Sequence, residues 1–470
     1  MSRVSTAGDR AVDHAGPPPE LQLTDKYLLD EGRIFLTGTQ ALVRVVLDQM
    51  RADRRNGRRT AAMVSGYPGS PLAGFDQELA RNRPFWEPLG VVHQPGQNEE
   101  LAATTVWGSQ LVPTLPRPRY DGVVGFWYGK APGVDRAADA LRHGNFAGAH
   151  PSGGLVAFCG DDPSCKSSTL PSASEATLAS LGMPVLAPGT PQEVLDLGLH
   201  AVAASRASGL WVAVKVATSV ADAHGTATVS PLRVQPVAPE VPYLGKPYVH
   251  VPSGTLIGAR ALELERTLTG PRLDLARAYA RANALDSITV DTPDAWLGVV
   301  AAGTAYYDLR EGLGKLGLDE AWLRQHGVRL LKLGMIWPLE PDVIDRFADG
   351  LAEIVVVEEK GPFLETAIKE ILYGKTRRPA VLGRHDERGR DMLPRHGALD
   401  ADVVARAIGR RLIRQGIDVD TIEAGLRRCT PPPAPLPLLG PTRTPFFCSG
   451  CPHNRSTDVP DGAAVGAGIG

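Results

Sequence analysis

A hydroxyl, a carboxylate and an amine, each set where an apolar run meets a small-residue turn, are the side chains best placed for chemistry. Residues 62–66 form a short apolar run that stops at Tyr67-Pro68-Gly69-Ser70-Pro71. After the apolar pair Val91-Val92 comes Asn98-Glu99-Glu100, which opens a helix-like run over 101–108. Lys130 follows the apolar run 123–128, with Asp135 at the start of the next helix. A strand ending in a small-residue loop, with a carboxylate at the next strand-to-helix junction, is how an α/β sheet builds a ligand site at its carboxyl edge. Far along the chain, Cys448-Ser449-Gly450-Cys451 can clamp one metal centre. Two thiolates make half a site, for zinc or an iron–sulfur cluster; His453 is a spare ligand or a surface histidine. Plainer readings stand beside these. Glu99 and Glu100 are also first-turn acids favoured by the helix dipole. The 67–71 segment is also a strand-ending turn, and Lys130 a surface lysine. Asp161-Asp162-Pro163 reads as a strand-end turn or subunit contact rather than a metal site, with Asp162 constrained by the proline after it. Cys159 and Cys165 read as a buried strand thiol and a loop thiol.

The elements that must hold these residues alternate strand and helix. Strands are expected at 62–66, 91–92, 123–128, 155–159, 184–186 and 210–216, and helices at 100–111, 134–144, 172–181 and 191–207. Before them, residues 33–38 suggest a turn leading into an amphipathic helix. The β-α-β-α order implies a doubly wound parallel sheet with helices on both faces. Residues 231–252 hold six prolines and read as a linker, followed by a helix over 262–284. A second, smaller α/β unit has expected strands at 297–302, 328–333 and 353–359. Residues 430–445 contain seven prolines, a linker composition. The organisation expected is therefore a disordered leader (1–27), a first α/β domain (28–235), linker and helix (236–289), a second α/β domain (290–415), helix and Pro-rich linker (416–445), and the opening of a third domain (446–470). The apolar, Gly-rich close at 463–470 makes that third domain look cut.

With 470 residues, 43% of them apolar and 22% charged, the chain has the composition of a multidomain globular protein. A formal charge of −2 gives no electrostatic reason to expect nucleic acid or an anionic membrane. No apolar run approaches the ~20 residues of a membrane helix. The polar, Pro-rich start lacks a secretory core, so a cytoplasmic location is expected. Five scattered cysteines do not make a disulfide framework.

Several stretches, in order, resemble one family. They are residues 67–71; Asn98-Glu99-Glu100-Leu101-Ala102; Lys130-Ala131-Pro132-Gly133-Val134-Asp135-Arg136; Gly160-Asp161-Asp162-Pro163-Ser164-Cys165-Lys166-Ser167-Ser168; residues 331–334; residues 355–359; and Cys448-Ser449-Gly450-Cys451-Pro452-His453. Together they resemble the N-terminal part of the indolepyruvate ferredoxin oxidoreductases, thiamine-diphosphate-dependent 2-oxoacid:ferredoxin oxidoreductases. The resemblance implies a pyrimidine-type thiamine diphosphate domain, then a transketolase C-terminal-like domain, then the start of a diphosphate- and Mg²⁺-binding domain. That domain's Gly-Asp…Asn metal signature is absent; Gly8-Asp9 and Gly160-Asp161 stand elsewhere. Catalysis would need more than this stretch.

In that frame Glu99, selected over Glu100 by the Asn-Glu-x-x-Ala pattern, would sit against N1′ of the cofactor pyrimidine and favour its imino form. Tyr67, Pro68 and Gly69 would border the cofactor. Ser70 stands where the family usually has Thr, and it and Lys130 would face the 2-oxoacid. Cys448 and Cys451 would supply two ligands of a [4Fe–4S] cluster, with the rest elsewhere. The implied reaction is oxidative decarboxylation of a 2-oxoacid, an aryl one such as indolepyruvate. CoA would accept the acyl group and ferredoxin the electrons, in a homodimer or larger assembly. A non-redox thiamine decarboxylase or synthase, and a non-catalytic cofactor-binding subunit, are the alternatives.

Overall fold

Apolar runs closed by glycine or polar turns become strands in the computed structural model, which describes residues 22–168, 170–429, 447–456 and 458–463. Most of the expected leader (1–21), the Pro-rich stretch 430–445 and the run 464–470 lie outside the described residues. The end of the leader is ordered: Asp25–Leu28 is a helical turn whose buried Tyr27 donates to Glu78 (2.6 Å).

The expected turn at 33–38 is a strand instead, β1 (Gly32–Thr37), whose side chains alternate with Ile34 and Leu36 inward. Thr37 then caps helix Gly38–Arg55 through a reciprocal pair with Gln40. Next come β2 (Thr60–Gly66), β3 (Val91–His93), β4 (Gly122–Lys130), β5 (Leu155–Asp161), β6 (Val185–Leu186) and β7 (Val212–Ala217). β8 (His224–Val229) returns to pair antiparallel with β1 in a separate ribbon. β4 and β5 are buried along almost their whole length, as strands covered on both faces must be.

The main sheet runs β3-β2-β4-β5-β7-β6, all parallel. The chain starts at β2, steps outward to β3, then returns to the other side of β2 at β4. That reversal opens a crevice at the carboxyl ends of β2 and β4. The expected doubly wound α/β architecture is what the chain adopts.

The linker carries the small hairpin β9 (Pro242–Tyr243) and β10 (Lys246–Pro247). The helix expected over 262–284 is two, Gly258–Thr267 and Leu273–Ala282. They part where Gly270 leaves helical geometry (φ −106°, ψ −111°) just before Pro271. The second sheet has five strands rather than three: β11 (Ser287–Val290), β12 (Leu297–Ala302), β13 (Val328–Leu333), β15 (Glu353–Val357) and β16 (Ala380–Leu382), with β14 (Met335–Trp337) between β13 and β15 in the chain. The two unexpected members, β11 and β16, are short edges. β14 leaves this sheet and pairs antiparallel with β6, so the first sheet gains a strand from beyond residue 235. The two units are further fastened by Lys332, which lies over the Tyr307 ring (4.7 Å) and pairs with Glu193; the Tyr307 hydroxyl also donates to Glu193. Among the described residues no helix is long and apolar enough to cross a membrane.

Candidate active site

Loops from three strand ends meet at the crevice. After β2, Gly66 packs directly on Tyr128 of β4; a Cβ there would lie 2.1 Å from the Tyr128 carbonyl oxygen. The Tyr67 amide donates to that same carbonyl (3.1 Å), and Leu72 N–H closes a turn onto Gly69 C=O (2.7 Å). Tyr67 and Pro68 are exposed, while Gly69 and Ser70 are half-buried. The Lys130 stem crosses Gly69, with Cδ 3.1 Å from where a Cβ would stand. Lys130 is the last residue of β4 rather than a loop residue and leads into helix Ala131–Arg136.

Glu99 opens helix Glu99–Gln110, which Asn98 caps by accepting from the Leu101 amide (2.8 Å). The helical turn separates the two acids: Glu99 is 6% exposed, and Glu100 faces outward. The Glu99 backbone is fixed by the Trp127 indole N–H, which donates to its carbonyl (3.0 Å). Its side chain lies against Gly133; a Cβ there would be 2.7 Å from Cγ and 2.8 Å from Oε1. Arg136 Nε stands 3.8 Å from Oε2. No described residue donates a hydrogen bond to this carboxylate. The side chain is 8% exposed, and its oxygens keep unused hydrogen-bonding capacity.

Behind the crevice, Tyr128 donates to Asp76 (2.5 Å), and His93 Nε2 lies 3.1 Å from the same oxygen. Burial, with Asp76 beside it, pushes the Tyr128 phenol up; burial holds His93 down despite Asp76. This cluster ties helix Ala73–Arg81 to the ends of β3 and β4. Asp135 is exposed and accepts from the Thr177 hydroxyl (3.2 Å).

The turn after β5 is rolled around Asp162, whose carboxylate accepts from the amides of Lys166 (3.0 Å), Ser167 (2.9 Å) and Ser168 (3.1 Å). Burial works against that charge, but the amides win and hold Asp162 below the usual carboxylate range. The turn therefore spends its acid on its own backbone. It reaches the site through Ser167, whose hydroxyl meets that of Ser70. Cys159 is buried in β5 and Cys165 lies in the turn.

Cys448 and Cys451 lie in a short turn of their own, closed by Cys451 N–H on Cys448 C=O (3.0 Å); Cys451 Sγ is 3.3 Å from His453 Nδ1. Among the described residues no three His, Cys, Asp or Glu side chains gather as a metal site.

The crevice thus brings together Tyr67, Pro68, Gly69, Ser70 and Lys130, with Glu99 seated beneath the 131–136 helix. Sequence reasoning missed the neighbours that shape it: Trp127, Arg136, Ser167 and the Asp76–Tyr128–His93 cluster. Gly133 and Arg136 lay inside a motif it had singled out.

Comparison with known proteins bears on this geometry. Residues 287–431 match the family model described as the Indolepyruvate oxidoreductase domain. The chain is 26% identical over 433 residues to the Indolepyruvate oxidoreductase subunit IorA of Methanothermobacter marburgensis, covering 91% of this chain and 60% of the relative. It is 24% identical over 449 residues to that subunit of Thermococcus kodakarensis, covering 93% and 60%. It therefore spans about 60% of the length of these curated relatives. Its fold is similar to that of the 2-oxoglutarate:ferredoxin oxidoreductase of Magnetococcus marinus, solved with 2-oxoglutarate, coenzyme A and succinyl-CoA. The TM-score is 0.55 at 12% identity, over 81% of this chain and 66% of that one. Residues 287–431 thus match the Indolepyruvate oxidoreductase domain, and most of the chain is similar to about 60%, by length, of the IorA subunits of these relatives.

Proposed function

We propose that this chain holds the aminopyrimidine end of thiamine diphosphate in an enzyme that oxidatively decarboxylates a 2-oxoacid, indolepyruvate or another aryl 2-oxoacid. CoA takes the acyl group and ferredoxin the electrons. The observation that carries the reading is Glu99: a buried carboxylate at a sheet switch point, with no hydrogen bond donated to it by a described residue. Such a group fits a ligand N–H, and the glycine at 133 leaves room for its close seat.

When bound, thiamine diphosphate supplies the carbon nucleophile and the electron sink for loss of CO₂. The chain's own residues do the rest of the work at this end. Glu99 accepts the proton-bearing N1′ of the pyrimidine and, being screened from water, holds that tautomer strongly. Tyr67, Pro68 and Gly69 border the ring. Ser70 offers a hydroxyl to the substrate carboxylate, and Lys130 a positive charge.

The described residues fit the pyrimidine but include no cluster for Mg²⁺ and the diphosphate, so this reading assigns those to the rest of the enzyme. Cys448 and Cys451 supply two of the four thiolates of a [4Fe–4S] cluster, the others lying elsewhere. A second copy of the chain is expected on the open side of the site, where Leu101 (50%) and Val92 (52%) are exposed.

The test is anaerobic reduction of a viologen dye by the full-length enzyme with CoA and a panel of 2-oxoacids. Faster turnover with aryl than with dicarboxylic 2-oxoacids is expected. CO₂ release without dye reduction would point instead to a non-redox thiamine enzyme, and no CO₂ from any 2-oxoacid would sink the reading.

A further inference from the structure

One side chain of the second unit reaches the turn that supports Ser70. Lys360 follows β15 by three residues, and its ammonium donates to the Pro163 carbonyl (2.5 Å), 197 residues away in the chain. Pro163 belongs to the turn rolled around Asp162. Inside that turn the polar groups are largely engaged: Asp162 C=O accepts from the amides of Cys165 (3.1 Å) and Ser172 (3.2 Å), and Ser168 C=O faces the Cys165 thiol (2.6 Å). Pro163 C=O has Lys360 as its partner among the described residues. Four residues on, the Ser167 hydroxyl rests on that of Ser70.

The backbone at both ends of this connection is unusual. Lys360 is left-handed (φ 64°), as is Cys165 (φ 56°) within the turn. A lysine gains nothing locally from that conformation, so the surrounding contacts must hold it there. The second unit does not need Lys360 to stay docked, because the β14–β6 pairing and the Glu193–Lys332–Tyr307 group already join the units.

We infer that Lys360 is a positioning residue: it braces the 162–168 turn, and through Ser167 it fixes where the Ser70 hydroxyl meets the carboxylate end of the 2-oxoacid. This rests on the reading that Ser70 faces substrate. The second unit then tunes substrate binding without touching substrate, and the Glu99 end of the site does not depend on it.

The test compares Lys360→Met, Lys360→Arg and the unaltered protein by two measurements. Hydrogen exchange is followed at the amides of Lys166, Ser167 and Ser168 and at those of Tyr67, Gly69 and Ser70. A charge-assisted hydrogen bond is worth enough to change local opening by about tenfold or more. Both groups of amides are expected to exchange about tenfold faster in Lys360→Met and to recover in Lys360→Arg, while helix Glu99–Gln110 is unaffected. In the full-length enzyme, KM for the 2-oxoacid should rise by about five- to tenfold in Lys360→Met, with kcat and thiamine diphosphate affinity unchanged. Unchanged exchange at 166–168 overturns the brace. Loosening at 166–168 without loosening at Ser70, or without a change in KM, overturns the link to substrate, and loosening spread over the whole chain reduces Lys360 to a structural contact. If the unaltered enzyme turns over no 2-oxoacid, the functional reading fails, and the exchange at Ser70 still decides whether Lys360 positions it.

Discussion

Two glutamates stand at the carboxyl edges of the two sheets, both buried and both leading into a helix. Their oxygens meet different fates. Glu358, after β15, accepts from the amides of Phe363 (3.2 Å), Leu364 (2.7 Å) and Glu365 (3.2 Å), and so closes the start of helix Leu364–Tyr373. Glu99 has its helix capped for it by Asn98, and its carboxylate is left with Arg136 at 3.8 Å. Position in the topology and burial are shared (8% and 6% exposed), so neither separates a working carboxylate from a structural one. They differ in unspent hydrogen-bonding capacity, the property on which the proposed role of Glu99 rests.

The largest break in this comparison should come from Glu99→Gln. In the proposed role the amide could not hold N1′ protonated, and turnover of the full-length enzyme should fall about 10²- to 10⁴-fold. Glu100→Gln, on the outer face, should stay within about twofold. Matching kinetics for the two variants would erase the distinction between them.

Gly133→Ala sharpens the same point from the other side. Its new methyl would press on Glu99 Cγ and Oε1, so the carboxylate end of that side chain must shift from its seat. We expect a loss of about 1–3 kcal/mol in stability, read from denaturant unfolding, together with reduced kcat. Unaltered kcat would mean that the seat of Glu99 is looser than its packing implies.

Truncation contrasts the two acids thermodynamically. Glu358→Ala strips the acceptor from three amides and should cost about 1–2 kcal/mol. Glu99→Ala removes a buried carboxylate to which no described residue donates a hydrogen bond, so stability should hold or rise, the pattern of a site that trades stability for function. Urea midpoints of the two variants decide this, provided m-values stay equal.

The smallest effect is on pH. Burial pushes Glu358 up to about 7; burial, with Glu359, Glu311 and Asp400 beside it, does the same for Asp308. The folded state therefore binds more protons than the unfolded one between the ordinary values of 4.5 and 3.8 and about 7. Stability of the second unit should fall as pH rises through that window. Its thermal midpoint should be lower at about pH 8 than at about pH 5, and Asp308→Asn should narrow the gap.

Much of this was legible in the sequence. β2, β4, β5 and β7 announce themselves as apolar runs because both of their faces are covered, and the loops at their ends follow from the turn residues. The strands β1, β11 and β16 were not legible for the opposite reason: they are short or lie outside the main sheet, where alternation is weak or solvent takes one side. The Asn98–Glu99 junction can be read as a helix start, and the family resemblance singles out Glu99 over Glu100, but that Glu99 is the acid turned inward needed the helix axis in place. Arg136 and Lys360 were invisible as site neighbours, since an exposed arginine on a helix and a lysine in a distant unit look like ordinary surface charges. The Asp161-Asp162-Pro163 segment reads in the sequence as a strand-end turn or a subunit contact; that the turn wraps around the Asp162 carboxylate through three amides was not legible there.

β14 carries a consequence for any attempt to handle the units apart. It comes from the stretch that matches the Indolepyruvate oxidoreductase domain model, yet it covers the margin of the other sheet at the two-residue strand β6. A protein cut near residue 287 would leave that margin bare, with backbone groups free to recruit strands from neighbouring molecules. The family segment is thus not a detachable module: excised or swapped between relatives, it takes a piece of its neighbour's sheet with it.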